Sequence, residues 1–341
     1  MELGTKALYN ALKFRTLEHN EPAKVLSWQI ADLREVTLDA LFQDLNKLGC
    51  NLDKQTFLVY AEECDSPEDM VEIVSSAQEE EEPELLDRIY LILFELWRRL
   101  IPERPSISIL CDELDRAIFS YDLGHEDAEI VWDALEPVLE IVQLSVDQGM
   151  NVQEAFGAIE ANCAHDLRRF FTDFILDLLD SRSIQDAEDL FNRLKPLFDK
   201  NPWTWLIEAR FIIKQKPIEA KALFRKAVTA AKEGSYPTAF FAEAAQALRW
   251  IEDDTLLVPI LDSAFRSIQS HEDGCTYLEI LSDAVSFYDL DSLENEVQEL
   301  VKKAEKPFKP VANDPVMVKL HALAQAIKAG VERNQSQEAS T

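Results

Sequence analysis

The adjacent residues His165 and Asp166 are the pair in this sequence best suited to binding a metal ion. An imidazole nitrogen and a carboxylate oxygen are both metal ligands, and two such side chains on one helix can bind a single ion. A complete site needs further ligands, and His125 is the obvious supply.

The dipeptide His165-Asp166 resembles the His-Asp pair that metal-dependent all-α phosphohydrolases carry on a helix, and this resemblance implies such an enzyme as one hypothesis. The alternative is that Asp166 simply begins a helix.

Motifs of the common enzyme classes are missing from the chain. There is no G-x-G-x-x-G or Gly-Lys-Ser/Thr phosphate loop, no H-E-x-x-H zinc motif and no G-x-S-x-G nucleophile turn. The five cysteines stand singly without C-x-x-C spacing, so we expect small buried hydrophobic residues rather than disulfides or a zinc site. We predict a protein that is not an enzyme and needs no cofactor.

A basic segment between positions 214 and 226 contrasts with a formal net charge of −30 for the whole chain. Its cations can clamp a carboxylate or an acidic motif through charge-assisted hydrogen bonds, and nearby aromatic residues can line a groove. The alternative is a solvated helix face whose cations are i, i+4 neighbours. The residues that we assign to partner binding are Lys214, Lys221, Arg225, Trp205 and Tyr236.

The stretch from Ser183 to Gly234 contains the clearest helix signals. Ser183 with Asp186 forms a capping-box pattern, and Asn201 before a proline predicts a capped helix start. Pro217 opens the next helix and Gly234 supplies a stop. Two helices within about thirty residues, joined by a short turn, must lie antiparallel as a helical hairpin.

Apolar triads at i, i+4, i+7 recur along this half of the chain with periods of 33, 37 and 36 residues between their first members. The triads are Ala187, Phe191, Leu194; Ala220, Phe224, Ala227; Leu257, Leu261, Ala264; and Leu293, Val297, Leu300. A period in the thirties is typical of stacked helical hairpins. The variable spacing also fits looser helical repeats or an irregular helical domain.

Residues 183–303 resemble the tetratricopeptide family, whose second helix carries Ala, an aromatic residue and Ala at the spacing of Ala220, Phe224 and Ala227. The chain departs from the family pattern at Glu208, where a small residue is expected, and at Lys232, where a proline is expected. The resemblance implies a solenoid that binds a peptide or helix of a partner protein on its concave face.

Composition supports an all-α fold class, a tetratricopeptide-like helical-hairpin array preceded by an N-terminal helical region. Glycine and proline are few, at 8 and 14 residues, and no run approaches the roughly 18 apolar residues of a membrane span. The N-terminus lacks a secretory pattern. We expect a soluble cytoplasmic protein that binds neither membrane nor nucleic acid.

Charge and helix signals divide the chain into a series of segments. The acidic run Glu79–Glu82 predicts an exposed connector. Lysine is absent between Lys54 and Lys195, which supports a boundary near 150–180. We predict an N-terminal helical unit (1–76), an acidic linker (77–83), a helical region (84–160), hairpin repeats (161–305), a linker with a C-terminal helix (306–330) and a disordered tail (331–341).

The negative charge supports a third hypothesis. A strongly acidic surface repels nucleic acid and anionic membranes and favours a basic partner, with an attraction that weakens as salt rises. Such a protein acts as an inhibitor or chaperone of a basic protein. The alternative is that the acids only solvate helix surfaces. Our principal prediction remains a non-catalytic adaptor that binds a partner peptide or helix.

Overall fold

The computed structural model describes residues 3–19, 25–75, 82–125, 127–181, 183–198, 201–234, 236–304, 306–311 and 313–338. These residues form seventeen α-helices and no strand, which confirms the all-α fold class. Their bounds are α1 Thr5–His19, α2 Leu38–Lys47, α3 Lys54–Glu62, α4 Pro67–Ser75, α5 Pro83–Leu100, α6 Ile107–Asp122, α7 Ala128–Asp147, α8 Val152–Asn162, α9 Leu167–Asp180, α10 Ile184–Leu194, α11 Pro202–Ile212, α12 Pro217–Glu233, α13 Thr238–Ile251, α14 Leu257–Ser267, α15 His271–Phe287, α16 Glu294–Ala304 and α17 Pro315–Glu338. No helix in these ranges is long and apolar enough to cross a membrane.

The chain forms two compact units, Met1–Asp177 and Leu178–Thr341. The division falls inside α9, whereas the sequence places the start of the repeat region at 161. The lack of lysine between Lys54 and Lys195 reflects the composition of the surface and not which helices pack together. It therefore locates the division between the units only approximately. We call these the N-terminal unit and the C-terminal unit.

Helix α5 packs against α2 and α4 in one hydrophobic core of the N-terminal unit. Nine consecutive residues, Ile89 to Trp97, are buried, as the apolar circumference of the helix predicts. The run includes Glu95, whose carboxylate is satisfied by the guanidinium groups of Arg98 and Arg99. The Trp97 indole N–H donates to the Arg104 carbonyl at 2.8 Å, which fixes the chain just after the helix.

Helix α7 runs unbroken from Ala128 to Asp147 with Pro137 inside it. A proline inside a helix is expected to kink or divide it, and Pro137 does not divide α7, although it removes one backbone hydrogen bond. Val131, Leu135, Val138 and Val142 are buried along the same helix. Burial of this apolar face against neighbouring helices outweighs the local cost of the proline.

The C-terminal unit contains the predicted hairpin as α11 and α12, which pack against each other. The Asn201 side chain accepts from the Trp203 amide at 3.1 Å, and prolines occupy the first turn of both helices, as predicted. Ala220, Phe224 and Ala227 are fully buried, so this triad is packing. A tetratricopeptide-like arrangement of the remaining helices stays a prediction.

Some local predictions differ from the structure. Ser183 precedes α10 but its side chain makes no capping hydrogen bond, so the capping box does not form. Helix α17 continues to Glu338, through most of the segment expected to be a disordered tail; residues 339–341 lie outside the described residues. Of the acidic linker, residues 77–81 also lie outside them, and Pro83 already begins α5.

Candidate partner-binding site

The charge of the protein is distributed unevenly between the two units. Counted over all residues, positions 1–177 contain 14 basic and 38 acidic side chains, a net charge of −24. Positions 178–341 contain 20 basic and 26 acidic side chains, a net charge of −6. Within the second set, segment 202–233 is basic, with seven cations and three acids. The basic surface therefore belongs to the α11–α12 hairpin.

Two of the predicted binding cations have partners within the C-terminal unit. Lys221 Nζ donates to the Glu252 carbonyl oxygen at 3.2 Å, and Arg225 Nε donates to Asp253 Oδ2 at 2.7 Å. Glu252 ends α13 in the left-handed region, with φ 51°, a conformation that side chains other than glycine adopt at some cost. Lys221 and Arg225 thus hold the end of α13 against α12.

The same contact keeps the Asp253 carboxylate ionised. The hydrogen bond from Arg225 lowers the pKa of Asp253, burial opposes this shift, and the Thr255 hydroxyl, 2.6 Å away, lowers the pKa further. Pairing with Asp253 in turn raises the pKa of Arg225. This ion pair accounts for both residues without an external ligand.

Lys214 lies in the turn between α11 and α12, exposed and with no ion pair among the residues that the structure describes. Lys216 follows it and pairs with the exposed Glu219 at 3.1 Å. Two large apolar side chains are exposed nearby, Ile218 at 86% and Trp250 at 62%. Ile218 lies at the start of α12 and Trp250 in the last turn of α13, and the contacts of Lys221 and Arg225 join α12 to the residues that follow α13.

We name Lys214, Lys216, Ile218 and Trp250 the hairpin-end surface. The two apolar members were missed by the sequence analysis, which followed the buried faces of the helices. Trp250 stands next to the buried Ile251 but off the apolar stripe of α13, and this offset is the signal that marks it.

Trp205 and Tyr236, the two aromatic residues assigned to binding, both have partners in the C-terminal unit. Lys226 Nζ lies 3.7 Å from the centroid of the half-buried Trp205 ring, close enough for a cation–π interaction between α11 and α12. The Tyr236 hydroxyl donates to Asn201 Oδ1 at 3.0 Å, and burial raises the pKa of Tyr236. The five predicted residues are therefore spread along the hairpin.

A cavity of about 430 Å³ opens beside Tyr236, and we call it the Tyr236 cavity. It lies where α12 ends, at the opposite end of that helix from Lys214 and Ile218. Its lining residues are Ala231, Lys232, Tyr236, Pro237, Phe241, Ser263, Arg266, Ser267, Gln269 and Asp273. Sequence reasoning did not find this cavity because helices distant in the chain contribute to it.

Three polar groups of the Tyr236 cavity have no partner among the residues that the structure describes. Ser263 is 6% exposed, and its hydroxyl has no hydrogen bond, although buried polar groups are normally satisfied. Lys232 and Arg266 are exposed and form no ion pair with any described residue. Two free cations and one unsatisfied buried hydroxyl thus converge on one cavity.

The other polar groups around the cavity are already engaged. The Ser267 hydroxyl is 2.8 Å from that of Thr238. The Asp273 carboxylate accepts from the amides of Gln269 and Ser270 at 3.0 and 2.9 Å. Both bonds reach Oδ2 at the start of α15, and the carboxylate forms no ion pair with Lys232 or Arg266. The free donors of the cavity thus include the two cations and the Ser263 hydroxyl, and the lining carries two positive charges against one negative charge.

His165 and Asp166, the alternative metal pair, lie in the N-terminal unit. His165 Nδ1 is 2.8 Å from Asp115 Oδ1, and Asp115 is fully buried. Asp166 Oδ1 accepts from the Arg169 amide at 3.2 Å, so Asp166 caps α9 as the simpler interpretation proposes. Among the described residues, no group of three or more His, Cys, Asp or Glu side chains could hold a metal ion.

Acidic side chains surround a second cavity of about 410 Å³ in the N-terminal unit, next to His165. The acids are Asp122, Asp166, Asp173 and Asp177. Burial raises the pKa of Asp173, and the three neighbouring carboxylates raise it further against the lowering effect of Arg169. This arrangement fits the hypothesis of a basic partner, which stays a prediction.

No protein-family model, curated protein or solved structure matches this chain.

Proposed function

We propose that this protein is a non-catalytic interaction module, and that its C-terminal unit binds a short acidic segment of a partner protein at the hairpin-end surface. The single observation that carries the proposal is the exposure of two large apolar side chains, Ile218 next to the lysines of the α11–α12 turn and Trp250 in the last turn of α13, which is joined to α12. Trp is among the residue types that contribute most to protein interfaces. An apolar side chain of the partner packs on Ile218 and Trp250.

Charge complementarity defines the partner segment. Lys214 has no partner within the described structure, and Lys216 has only a solvent-exposed one, so both remain available to carboxylates. An exposed ion pair such as Lys216–Glu219 contributes little to stability and is readily exchanged. The segment therefore carries acidic residues next to an apolar residue and adopts a peptide or helical form.

The net charge of −30 limits the rest of the partner. A partner that is acidic throughout is repelled at distances within a Debye length, about 8 Å at physiological ionic strength. A partner with a local acidic segment on an otherwise neutral or basic protein avoids this repulsion. Attraction of the acidic segment to the hairpin lysines and repulsion of wholly acidic proteins together make the choice of partner selective.

Site-specific cross-linking on the full chain tests the proposal. A photo-reactive residue placed at position 218 is expected to cross-link to an acidic partner segment, and the same residue at Val301, a 47% exposed position on α16, is not. The charge reversal Lys214→Glu with Lys216→Glu is expected to weaken the complex by about tenfold, as the loss of charge-assisted hydrogen bonds predicts.

The matched control is Lys306→Glu with Lys309→Glu, which reverses two exposed lysines of the connector before α17. Both pairs change the net charge equally, so a specific effect appears only in the hairpin pair. Equal loss of binding in both variants, or equal cross-linking at positions 218 and 301, contradicts the hairpin-end surface.

A further inference from the structure

We infer that the Tyr236 cavity is a binding site for a phosphoryl group, supplied by free phosphate or by a phosphorylated side chain. The site is separate from the hairpin-end surface, so the inference goes beyond the proposed function and does not depend on it. The observation that points to a ligand is the Ser263 hydroxyl, which is buried at 6% exposure and has no hydrogen-bond partner in the described part of the chain.

The unsatisfied hydroxyl requires a polar occupant. A buried polar group without a partner costs about 1–3 kcal/mol, and native structures contain few of them. Ser263 lines a cavity of about 430 Å³, which is large enough for an oxyanion and its bridging waters. Its hydroxyl can donate a hydrogen bond to an anionic oxygen there.

The charge of the cavity selects an anion. Lys232 from the end of α12 and Arg266 from α14 line it, and neither is neutralised by a described acidic side chain. Asp273, the one acid in the lining, accepts from backbone amides with Oδ2, and its charge leaves the two cations in excess by one. This excess favours a phosphoryl group, which carries a charge of about −1.5 to −2 near neutral pH.

Backbone geometry at the rim adds to this preference. Pro237 lines the cavity and precedes α13, and no side chain caps the first amides of that helix. Unsatisfied amides at a helix start favour negative charge. Lys232 on α12, Ser263 and Arg266 on α14, and Pro237 before α13 therefore all line the same cavity.

Amide NMR on the full chain tests the inference with inorganic phosphate as the probe, added at constant ionic strength against chloride. Saturable shifts are expected for amides in 263–269. Lys232→Gln or Arg266→Gln is expected to weaken binding by about tenfold, since each removes a charge-assisted contact. The matched control is Lys302→Gln, an exposed lysine on α16 of the same unit, and it should leave the affinity unchanged.

Ser263→Ala separates binding from folding. Removing a hydroxyl that has no internal partner should not lower stability, yet phosphate affinity should fall several-fold.

O-phosphoserine, used as a second probe, identifies the source of the phosphoryl group. Tighter binding than that of phosphate assigns a phosphorylated side chain, weaker binding assigns the free anion, and the site is supported in both cases. The absence of saturable shifts, or an equal loss of affinity in Lys302→Gln, overturns the inference. Either result leaves cross-linking at position 218 unaffected.

Discussion

At the scale of single residues, the best-organised polar group in the N-terminal unit is the buried carboxylate of Asp112. It accepts from Lys6 Nζ at 3.0 Å, from Arg34 Nη2 at 2.7 Å and from Asn10 Nδ2 at 2.9 Å. Burial by itself raises the pKa of Asp112, but Lys6 and Arg34 lower it below its ordinary value. The carboxylate is therefore kept ionised although it is 5% exposed.

The lowered pKa of Asp112 predicts a specific pH dependence of stability. Asp112→Asn should reduce the free energy of unfolding at pH 7 by about 2–4 kcal/mol, because two cations lose a buried partner. Because the folded-state pKa lies below the unfolded value of about 3.9, the stabilisation is present above that pH and is lost as the pH falls through the folded-state pKa. Urea unfolding from pH 7 to pH 3 measures the difference between the two proteins.

The expected signature is a gap that narrows below about pH 4. Asp133→Asn, at an exposed position on α7, is the control and should change stability by less than about 0.5 kcal/mol. A gap of constant size down to pH 3 would show that the Asp112 ion pairs contribute nothing to the pH dependence.

Residue types alone do not reveal which cations are free. Lys214, Lys221 and Arg225 look alike in the sequence, all lying in one basic segment. Lys221 and Arg225 have partners after α13, while Lys214 has none among the described residues. The difference depends on a loop about 30 residues further along the chain, so no local pattern could separate them.

At the scale of elements, two helical glycines differ in their surroundings. Gly274, in the first turn of α15, lies against the Phe308 ring, and a Cβ at this position would overlap that ring. Gly157, within α8, has no atom within 4 Å of a Cβ built there. Of these two positions, only Gly274 requires glycine for close approach to a neighbouring side chain.

The two positions therefore predict opposite effects of alanine. Gly157→Ala should raise the free energy of unfolding by about 0.5–1 kcal/mol, since alanine has less unfolded-state freedom and better helix propensity. Gly274→Ala should lower it by about 1–3 kcal/mol through overpacking against Phe308. Thermal or urea unfolding of each variant measures the sign, and stabilisation at both positions would mean that the Phe308 ring moves aside without cost.

At the scale of the whole molecule, the dominant feature is the charge of −24 on positions 1–177 against −6 on positions 178–341. Self-repulsion between like charges destabilises a compact state and is screened by salt. We expect the melting temperature to rise as sodium chloride increases from about 20 to about 200 mM, over which range the Debye length shortens roughly threefold.

Hydrogen exchange shows which unit is stabilised by added salt. Amide protection should increase more in residues 25–75 and 82–125 than in the hairpin α11–α12, because the excess charge lies in the N-terminal unit. An equal increase in both regions, or a melting temperature that falls with salt, would show that repulsion between the acids is not the main electrostatic contribution to stability.

Much of the fold is determined by the sequence itself. Period-3.6 apolar spacing with few glycines and prolines predicts the all-α class, and Asn201, Pro202 and Pro217 mark the helix starts of the hairpin. The buried triad of α12 is likewise readable, because both helix geometry and core packing act on residues one turn apart. These features depend on local interactions.

Only the tertiary structure decides the candidate sites. Three features depend on helices that are distant in sequence: the exposure of Trp250, the ion pair of Arg225 with Asp253 and the unsatisfied hydroxyl of Ser263. The division within α9 and the continuous helix through Pro137 have the same origin. The packing of helices against one another decides which polar groups find partners. The order of residue types along the chain does not specify the distances between side chains on different helices.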